Sequence, residues 1–276
     1  MSFTENQGVK IYWDEQGKGE LLLMIMGMAY ASAMWNRIRP LLNVSFQTIA
    51  FDNRGIGHSD VPPGPYPIPL MASDAVAVLD AANIESAHVF GVSMGGMIAQ
   101  EFALQNPNRV RSLILGCTTV GGEDWVHPEP AVLEILESSA DLTPEQLHKA
   151  IRPYIYDPGT AEARIDEDFA IRLKWLPTPA GHLAQLQGIM MWGGSYNRLS
   201  QITQPTLVIH GETDKLVLPE NGKMIAERIK GAKLVMLPHA SHVFMTDQTE
   251  ATHRAIEGFL LANSSEQRRA ASIHAN

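Results

Sequence analysis

A serine lies where a nucleophile could be exposed between a strand and a helix. Residues 91–95 read Gly-Val-Ser-Met-Gly, and an apolar strand is predicted over residues 87–90 and a helix over residues 94–105. This strand–turn–helix context makes the G-x-S-x-G pattern informative, because it lifts the serine hydroxyl above a sheet. The pattern predicts Ser93 as a nucleophile. The competing interpretation is a glycine-rich turn in which Ser93 only caps the helix.

A serine hydroxyl is a poor nucleophile and needs a base, which we expect in the chain order serine, acid, histidine. Residues 238–245 lead from the last predicted strand towards the final helix and contain His239 and His242. Two small residues precede His242 and let the loop fold tightly over the sheet. His239 directly follows Pro238 and is expected to face solvent. We therefore predict His242 as the base and give the other eight histidines no role.

The acid has to hold the imidazole in the correct tautomer and stabilise its cation. Asp214 lies just past the strand predicted at residues 206–209, and Glu212 is a nearby rival. The end of the strand at residues 112–115 is another possible place, but no carboxylate follows it until Glu123. This favours Asp214, for which a role as a helix or loop cap is the alternative.

An oxyanion also needs backbone amide donors. The amide of Met94, directly after Ser93, is one candidate. The loop Gly-Met-Ala at residues 27–29 follows an apolar strand, and we expect the amide of Met28 to be the second donor. The alternative for Met28 is an ordinary apolar loop residue.

Short apolar runs recur along the chain and alternate with helical patterns, which is typical of a doubly wound, mostly parallel α/β sheet. The predicted strands cover residues 21–26, 46–51, 87–90, 112–115, 206–209 and 233–237. The helices between them are predicted at residues 71–82, 94–105, 218–229 and 249–261. Residues 9–14 are expected to belong to an antiparallel edge hairpin that precedes this sheet.

The alternation stops between residues 121 and 199, which contain no strand-like run. Helices are predicted there at residues 131–138, 143–152, 167–175 and 182–192. Thr143 and Gln146 have the spacing of a capping box at the start of the second of these helices. We therefore predict a core of residues 1–120 and 200–276 with an inserted helical cap of residues 121–199.

The predicted cap supplies candidates for a substrate pocket. Methionine adapts to irregular ligands, and apolar pockets bind acyl chains. The candidates are Trp175, Met190, Met191 and Trp192, and the alternative is that they form the core of the cap. The sequence does not identify the substrate that they would contact.

Composition narrows the class of partner. The formal net charge of the 276 residues is −9, which disfavours nucleic acid and anionic membranes. With one cysteine no internal disulfide can form. The first residues lack the basic and apolar regions of a signal peptide, so we expect a cytoplasmic protein. No Cys/His cluster suggests zinc, no metal site is expected, and no G-x-x-x-x-G-K-[ST] loop suggests a nucleotide.

The sequence resembles the α/β-hydrolase superfamily over nearly its whole length. The resemblance rests on residues 91–96, on Asp-Asn-Arg-Gly-Ile-Gly-His-Ser at residues 52–59 and on His-Gly-Glu-Thr-Asp at residues 210–214. Among capped members the chain is most similar to the carboxylesterases and the 3-oxoadipate enol-lactonases. It departs from the family where Met26 stands for a frequent histidine and where Ser241 stands for a frequent glycine before the base.

The resemblance implies a cap that closes over the triad, hydrolysis of a small-molecule carboxylic ester or lactone, and no cofactor. A serine at the turn implies acyl transfer, because dehalogenases and epoxide hydrolases of this fold use aspartate there. Two other functions stay open. One is a cofactor-free perhydrolase, haloperoxidase or carbon–carbon bond hydrolase on the same triad, and the other is a binding protein or receptor that has lost turnover. The oligomeric state is not predicted.

Overall fold

The computed structural model describes residues 1–139 and 141–264, which contain one eight-stranded sheet. The strands in chain order are β1 (Ser2–Asn6), β2 (Val9–Gly17), β3 (Glu20–Ile25), β4 (Phe46–Phe51), β5 (Ala87–Val92), β6 (Val110–Gly116), β7 (Thr206–Gly211) and β8 (Lys233–Leu237). Their spatial order is β1-β2-β4-β3-β5-β6-β7-β8.

The direction of pairing separates an antiparallel edge from a parallel centre. Strands β1 and β2 form an antiparallel hairpin, and β2 also pairs antiparallel with β4. All the other pairs are parallel, from β4–β3 to β7–β8. The predicted edge hairpin and the predicted mostly parallel sheet are therefore both confirmed.

The helices connect the strands and cover both faces of the sheet. They are α1 (Arg39–Leu42), α2 (Ile68–Ala81), α3 (Met94–Gln105), α4 (Pro130–Glu137), α5 (Pro144–Ile155), α6 (Glu162–Lys174), α7 (Pro179–Met190), α8 (Pro219–Arg228), α9 (Phe244–Asp247) and α10 (Thr249–Ala262). Three short 3₁₀ helices lie at Ser32–Trp35, Pro107–Arg109 and Tyr196–Gln201.

Two apolar cores lie on opposite faces of the sheet, because alternate strand residues point in opposite directions. Leu23 and Val89 belong to the core that contains apolar residues of α2, α3 and α8. Leu22 and Phe90 belong to the core that contains residues of α1, α9 and α10. Burial on both faces explains why the strand sequences are almost continuously apolar.

Four helices, α4 to α7, lie between β6 and β7, within the segment predicted as a cap. A third apolar cluster joins α4, α5 and α6 through buried side chains, which are Val132, Leu147, Ile151, Ile155 and Ile165, together with Tyr156 just after α5. The predicted capping box is present, since the Thr143 hydroxyl accepts from the Gln146 amide and the Gln146 side chain accepts from the Thr143 amide. The division into a core and a cap remains our proposal.

Helix α7 docks directly onto the core. A Cβ atom at Gly181 would lie 2.3 Å from the carbonyl oxygen of Gly55, and one at Gly188 would lie 1.8 Å from that of Tyr66. The Gln185 side chain donates to the Arg54 carbonyl at 2.8 Å. Glycine thus permits a close backbone approach that holds α7 against the loop between β4 and α2. Across residues 1–139 and 141–264, every helix is too short or too polar to span a membrane.

Candidate active site

Ser93 occupies a sharp turn between β5 and α3. Its backbone has φ 57° and ψ −123°, a region that residues with a side chain rarely adopt and that costs of order 1–3 kcal/mol. A Cβ at Gly91 would lie 2.1 Å from the carbonyl oxygen of Gly95, and a Cβ at Gly95 would lie 2.1 Å from that of Ile25. These two glycines therefore allow α3 to begin directly against the sheet and leave Ser93 half-buried at its start.

His242 and Asp214 are in direct contact after β8 and β7. The Nδ1 atom of His242 lies 2.9 Å from Oδ2 of Asp214, and both side chains are buried. An ionised carboxylate only accepts hydrogen bonds, so the proton of the neutral imidazole lies on Nδ1 and Nε2 is left as an acceptor. His239 is exposed, with a positive φ of 54°. Glu212 is exposed as well.

The turn after β7 holds Asp214 as a carboxylate. Its Oδ1 atom accepts from the amides of Leu216 and Val217, each at 2.9 Å. Burial alone would raise the pKa of the Asp214 carboxyl, but the charge of His242 and hydrogen bonds from His210 and His242 hold that pKa well below its ordinary value. Asp214 therefore stays ionised at neutral pH.

His210 is a partner of Asp214 that the sequence analysis did not identify. Its buried Nε2 atom lies 2.8 Å from the Val217 carbonyl oxygen and 3.3 Å from Oδ2 of Asp214. Both neighbours are acceptors, so Nε2 carries a proton. The four-residue spacing of His210 and Asp214 across a tight turn was the only signal available in the sequence.

The loop after β3 lies against Ser93. A Cβ at Gly27 would lie 3.1 Å from Cβ and 3.6 Å from Oγ of Ser93. The Ala29 amide donates to Gln185 Oε1 at 2.9 Å. Within the described ranges the amides of Met28 and Met94 donate no hydrogen bond, so both remain available to an oxyanion.

Two cavities meet at Ser93 and share the lining residues Met28, Leu136 and Leu216. We call the first the arginine cavity, because Arg37 and Arg172 line it together with His242. We call the second the tryptophan cavity, because Trp125 and Trp192 line it; its volume is about 410 Å³.

The four predicted pocket residues are not all beside Ser93. Trp192 and Met190 line the tryptophan cavity, although Met190 is 67% exposed. Met191 is also 67% exposed and lines neither cavity. The expectation for Trp175 needs correction as well, because its ring packs on His58 at a centroid distance of 4.3 Å and lines a separate cleft beside β2.

Cys117, Asp214 and His242 place one potential metal-binding atom each within 4.8 Å of one another. Burial, together with the charge of Asp214, raises the pKa of the Cys117 thiol well above its ordinary value. A thiol binds a metal as the thiolate, and Asp214 and His242 already bond to each other. The group therefore suits a hydrogen-bonded pair beside a neutral thiol better than a metal centre.

Known proteins share both the sequence pattern and the fold. Residues 20–153 match the family model described as alpha/beta hydrolase fold, and residues 194–271 match the model of TAP-like proteins. A poly(3-hydroxyalkanoate) depolymerase of Ectopseudomonas oleovorans is 32% identical over 79% of this chain and 76% of its own length. A putative carbamate hydrolase, RutD, of Azorhizobium caulinodans is 29% identical over 94% of this chain and 98% of its own.

A solved structure described as Est816, an N-acyl homoserine lactone degrading enzyme, superposes with a TM-score of 0.80. It is 27% identical and covers 94% of this chain and 100% of its own. The fold, the strand–turn–helix at Ser93 and these relatives agree with the resemblance seen in the sequence. The chain belongs to the α/β-hydrolase family.

Proposed function

We propose that this α/β hydrolase cleaves carboxylic esters or lactones through an acyl-serine intermediate on Ser93. The observation that carries the proposal is the 2.9 Å contact between His242 Nδ1 and Asp214 Oδ2 at a cavity that Ser93 also lines. A base held in one tautomer beside a serine on a strained turn is the arrangement that activates a hydroxyl.

The reaction has two balanced halves. The Oγ atom of Ser93 attacks the substrate carbonyl while His242 Nε2 takes its proton, and His242 then returns that proton to the departing alkoxide. A water molecule next attacks the acyl-serine, gives a proton to His242 and releases the acid, after which Ser93 regains its hydrogen. Asp214 stabilises the imidazolium in both halves without itself being protonated.

The amides of Met28 and Met94 support the same proposal. Each is free of a hydrogen bond within the described ranges. Met94 directly follows Ser93 in the chain, and Met28 lines both cavities that Ser93 also lines. We propose that they bind the oxyanion of each tetrahedral intermediate. Removing one such donor typically costs about 10²–10³ in kcat.

The tryptophan cavity would receive an apolar part of the substrate. Its lining includes Met97, Leu186 and Ile189 besides the two tryptophans, and apolar surface of this kind binds hydrocarbon by excluding water. The names of the relatives, which include a lactone-degrading enzyme and a poly(3-hydroxyalkanoate) depolymerase, support an acyl compound as substrate.

The test is turnover of p-nitrophenyl esters of increasing acyl length and of an enol-lactone by wild type, Ser93→Ala and Ser200→Ala. Ser200 is exposed and serves as the matched control. We expect Ser93→Ala to lose at least about 10⁴-fold in kcat and Ser200→Ala to equal wild type. Halogenation or peracid formation with peroxide, without ester turnover, would favour the perhydrolase alternative. Absence of turnover in every assay would favour a binding protein.

A further inference from the structure

Arg172 is a buried cation in the wall of the proposed active site. It lies on α6, is 8% exposed and lines the arginine cavity together with Ser93 and His242. Its guanidinium carbon lies 5.2 Å from the centre of the Tyr30 ring, so the aromatic face supports one side of the group.

The guanidinium of Arg172 has no counter-ion in the ranges 1–139 and 141–264. No hydrogen bond or ion pair joins it to a residue in those ranges, and its Nε atom is buried without a partner. An isolated buried charge is costly, and buried charges in proteins are normally paired. The described part of the chain therefore supplies no negative group to pair with Arg172.

The acid one turn earlier on α6 is already engaged by other groups. Asp168 Oδ1 accepts from Arg37 Nε at 3.0 Å. Asp168 Oδ2 accepts from the hydroxyls of Tyr156 at 3.2 Å and Thr246 at 2.6 Å. Arg37 also pairs with the exposed Glu167 at 3.0 Å. Both carboxylates are therefore bonded to Arg37, and neither is bonded to Arg172.

The nearby histidines do not change this balance. Burial, and then the charge of Arg172, lowers the pKa of both His182 and His148, so both are neutral at physiological pH. His182 also lines the arginine cavity, where its Nε2 lies 2.7 Å from the Ser139 hydroxyl. Neither histidine therefore adds a positive charge to the cavity, and among the described residues Arg172 remains its charged group without an ion pair.

We propose that Arg172 binds a free carboxylate of the substrate, so that the natural ester or lactone carries a second, unesterified carboxyl group. A guanidinium presents paired donors that match a carboxylate. Apolar residues of the same cavity, among them Leu147, Ile151 and Ile155, would contact the carbon chain that separates the two carboxyl groups. This inference deepens the proposed function and rests on it.

The experiment compares monoethyl glutarate, an anionic ester, with ethyl pentanoate, a neutral ester of similar length, by pH-stat. The variants are Arg172→Gln, Arg172→Lys and the control Lys174→Gln, since Lys174 is an exposed cation on the same helix. A hydrogen-bonded charge pair corresponds to about 10- to 100-fold in kcat/KM. Arg172→Gln should lose that factor on monoethyl glutarate and stay within about threefold on ethyl pentanoate. Arg172→Lys should fall between, because it keeps the charge but loses the planar fork.

A second measurement does not depend on turnover. Glutarate should raise the Tm of wild type and Lys174→Gln but not that of Arg172→Gln, with sodium chloride at equal ionic strength as reference. If no ester is cleaved but glutarate still stabilises only chains with Arg172, the carboxylate site stands and the proposed function fails.

The inference is overturned if glutarate stabilises Arg172→Gln as much as wild type, or if Arg172→Gln lowers turnover of both esters equally. If Arg172→Gln does not fold, the proposal is decided by the preference of the wild type for monoethyl glutarate over ethyl pentanoate. A kcat/KM at least about tenfold higher for monoethyl glutarate supports the site, and a smaller or reversed ratio contradicts it.

Discussion

Replacing Asp214 by asparagine exchanges one carboxylate oxygen for an NH₂ group and tests how the base is held. The amide oxygen of Asn can still accept from the amides of Leu216 and Val217, which fixes the NH₂ group at the position of Oδ2. There it faces Nδ1 of His242, 2.9 Å away. An NH₂ group donates, so Nδ1 must become the acceptor and the imidazole proton moves to Nε2. A protonated Nε2 can no longer take the proton of Ser93.

The expected loss is about 10⁴-fold in kcat, which corresponds to about 5–6 kcal/mol of transition-state stabilisation. The fold should also be weakened. The Nε2–H of His210 is held by the Val217 carbonyl at 2.8 Å and would face the new NH₂ group instead of a carboxylate. Losing hydrogen bonds to a charged acceptor suggests a decrease of about 1–3 kcal/mol in the free energy of unfolding.

The assay is p-nitrophenyl butyrate hydrolysis by wild type, Asp214→Asn and Glu212→Gln, with urea unfolding of each. Glu212 is the exposed carboxylate two residues away. Its substitution should change the hydrolysis rate by no more than about twofold and the free energy of unfolding by no more than about 0.5 kcal/mol. A folded Asp214→Asn variant that retains at least a tenth of the activity would rule out this role for Asp214, and a large loss in Glu212→Gln would assign the role to Glu212.

Three further predictions concern stability. Ser93→Gly should raise the free energy of unfolding, measured in urea, by about 1–3 kcal/mol, because glycine tolerates the φ of 57°. Ser93→Ala keeps its Cβ and should show no such increase, so equal free energies of unfolding for the two variants would contradict strain at the turn. Gly95→Ala should lower the free energy of unfolding in urea by at least about 2 kcal/mol, because its Cβ would lie 2.1 Å from the carbonyl oxygen of Ile25. The control Gly258→Ala should raise that free energy slightly, because Gly258 lies on α10 with open space around it. Burial raises the pKa of Asp247 to about 6, so the folded state binds an extra proton between about pH 4 and 6. As pH rises through that window, the free energy of unfolding of wild type should fall by up to about 3 kcal/mol relative to that of Asp247→Asn. A difference between the two that stays constant with pH in urea unfolding would refute this prediction.

Local patterns predicted the elements of the fold well. The run at residues 206–209 lies within β7, and residues 94–105 coincide with α3, because continuous apolar runs and helical spacing record burial directly. The capping box at Thr143 was also predicted correctly, since its two hydrogen bonds span only three residues. Such features depend on neighbours along the chain and not on the rest of the fold.

Side-chain direction at the candidate site could not be predicted in the same way. Trp175 follows α6 and turns towards His58 instead of Ser93, which depends on how that helix docks. The missing partner of Arg172 becomes visible only when Asp168 is found to be engaged by Arg37, 131 positions away. Contacts of this separation leave no spacing signal in one sequence.

We propose that Ser93 forms the covalent intermediate, and labelling with a serine-directed fluorophosphonate identifies the serine that becomes bonded. The enzyme is treated with the reagent, digested and mapped by mass spectrometry, with Ser93→Ala and His242→Ala in parallel. We expect one adduct, on Ser93, absent from Ser93→Ala and greatly slowed in His242→Ala, because the base activates the hydroxyl. An adduct on a different serine, or rapid labelling that persists in a folded Ser93→Ala variant, would show that Ser93 is not the nucleophile.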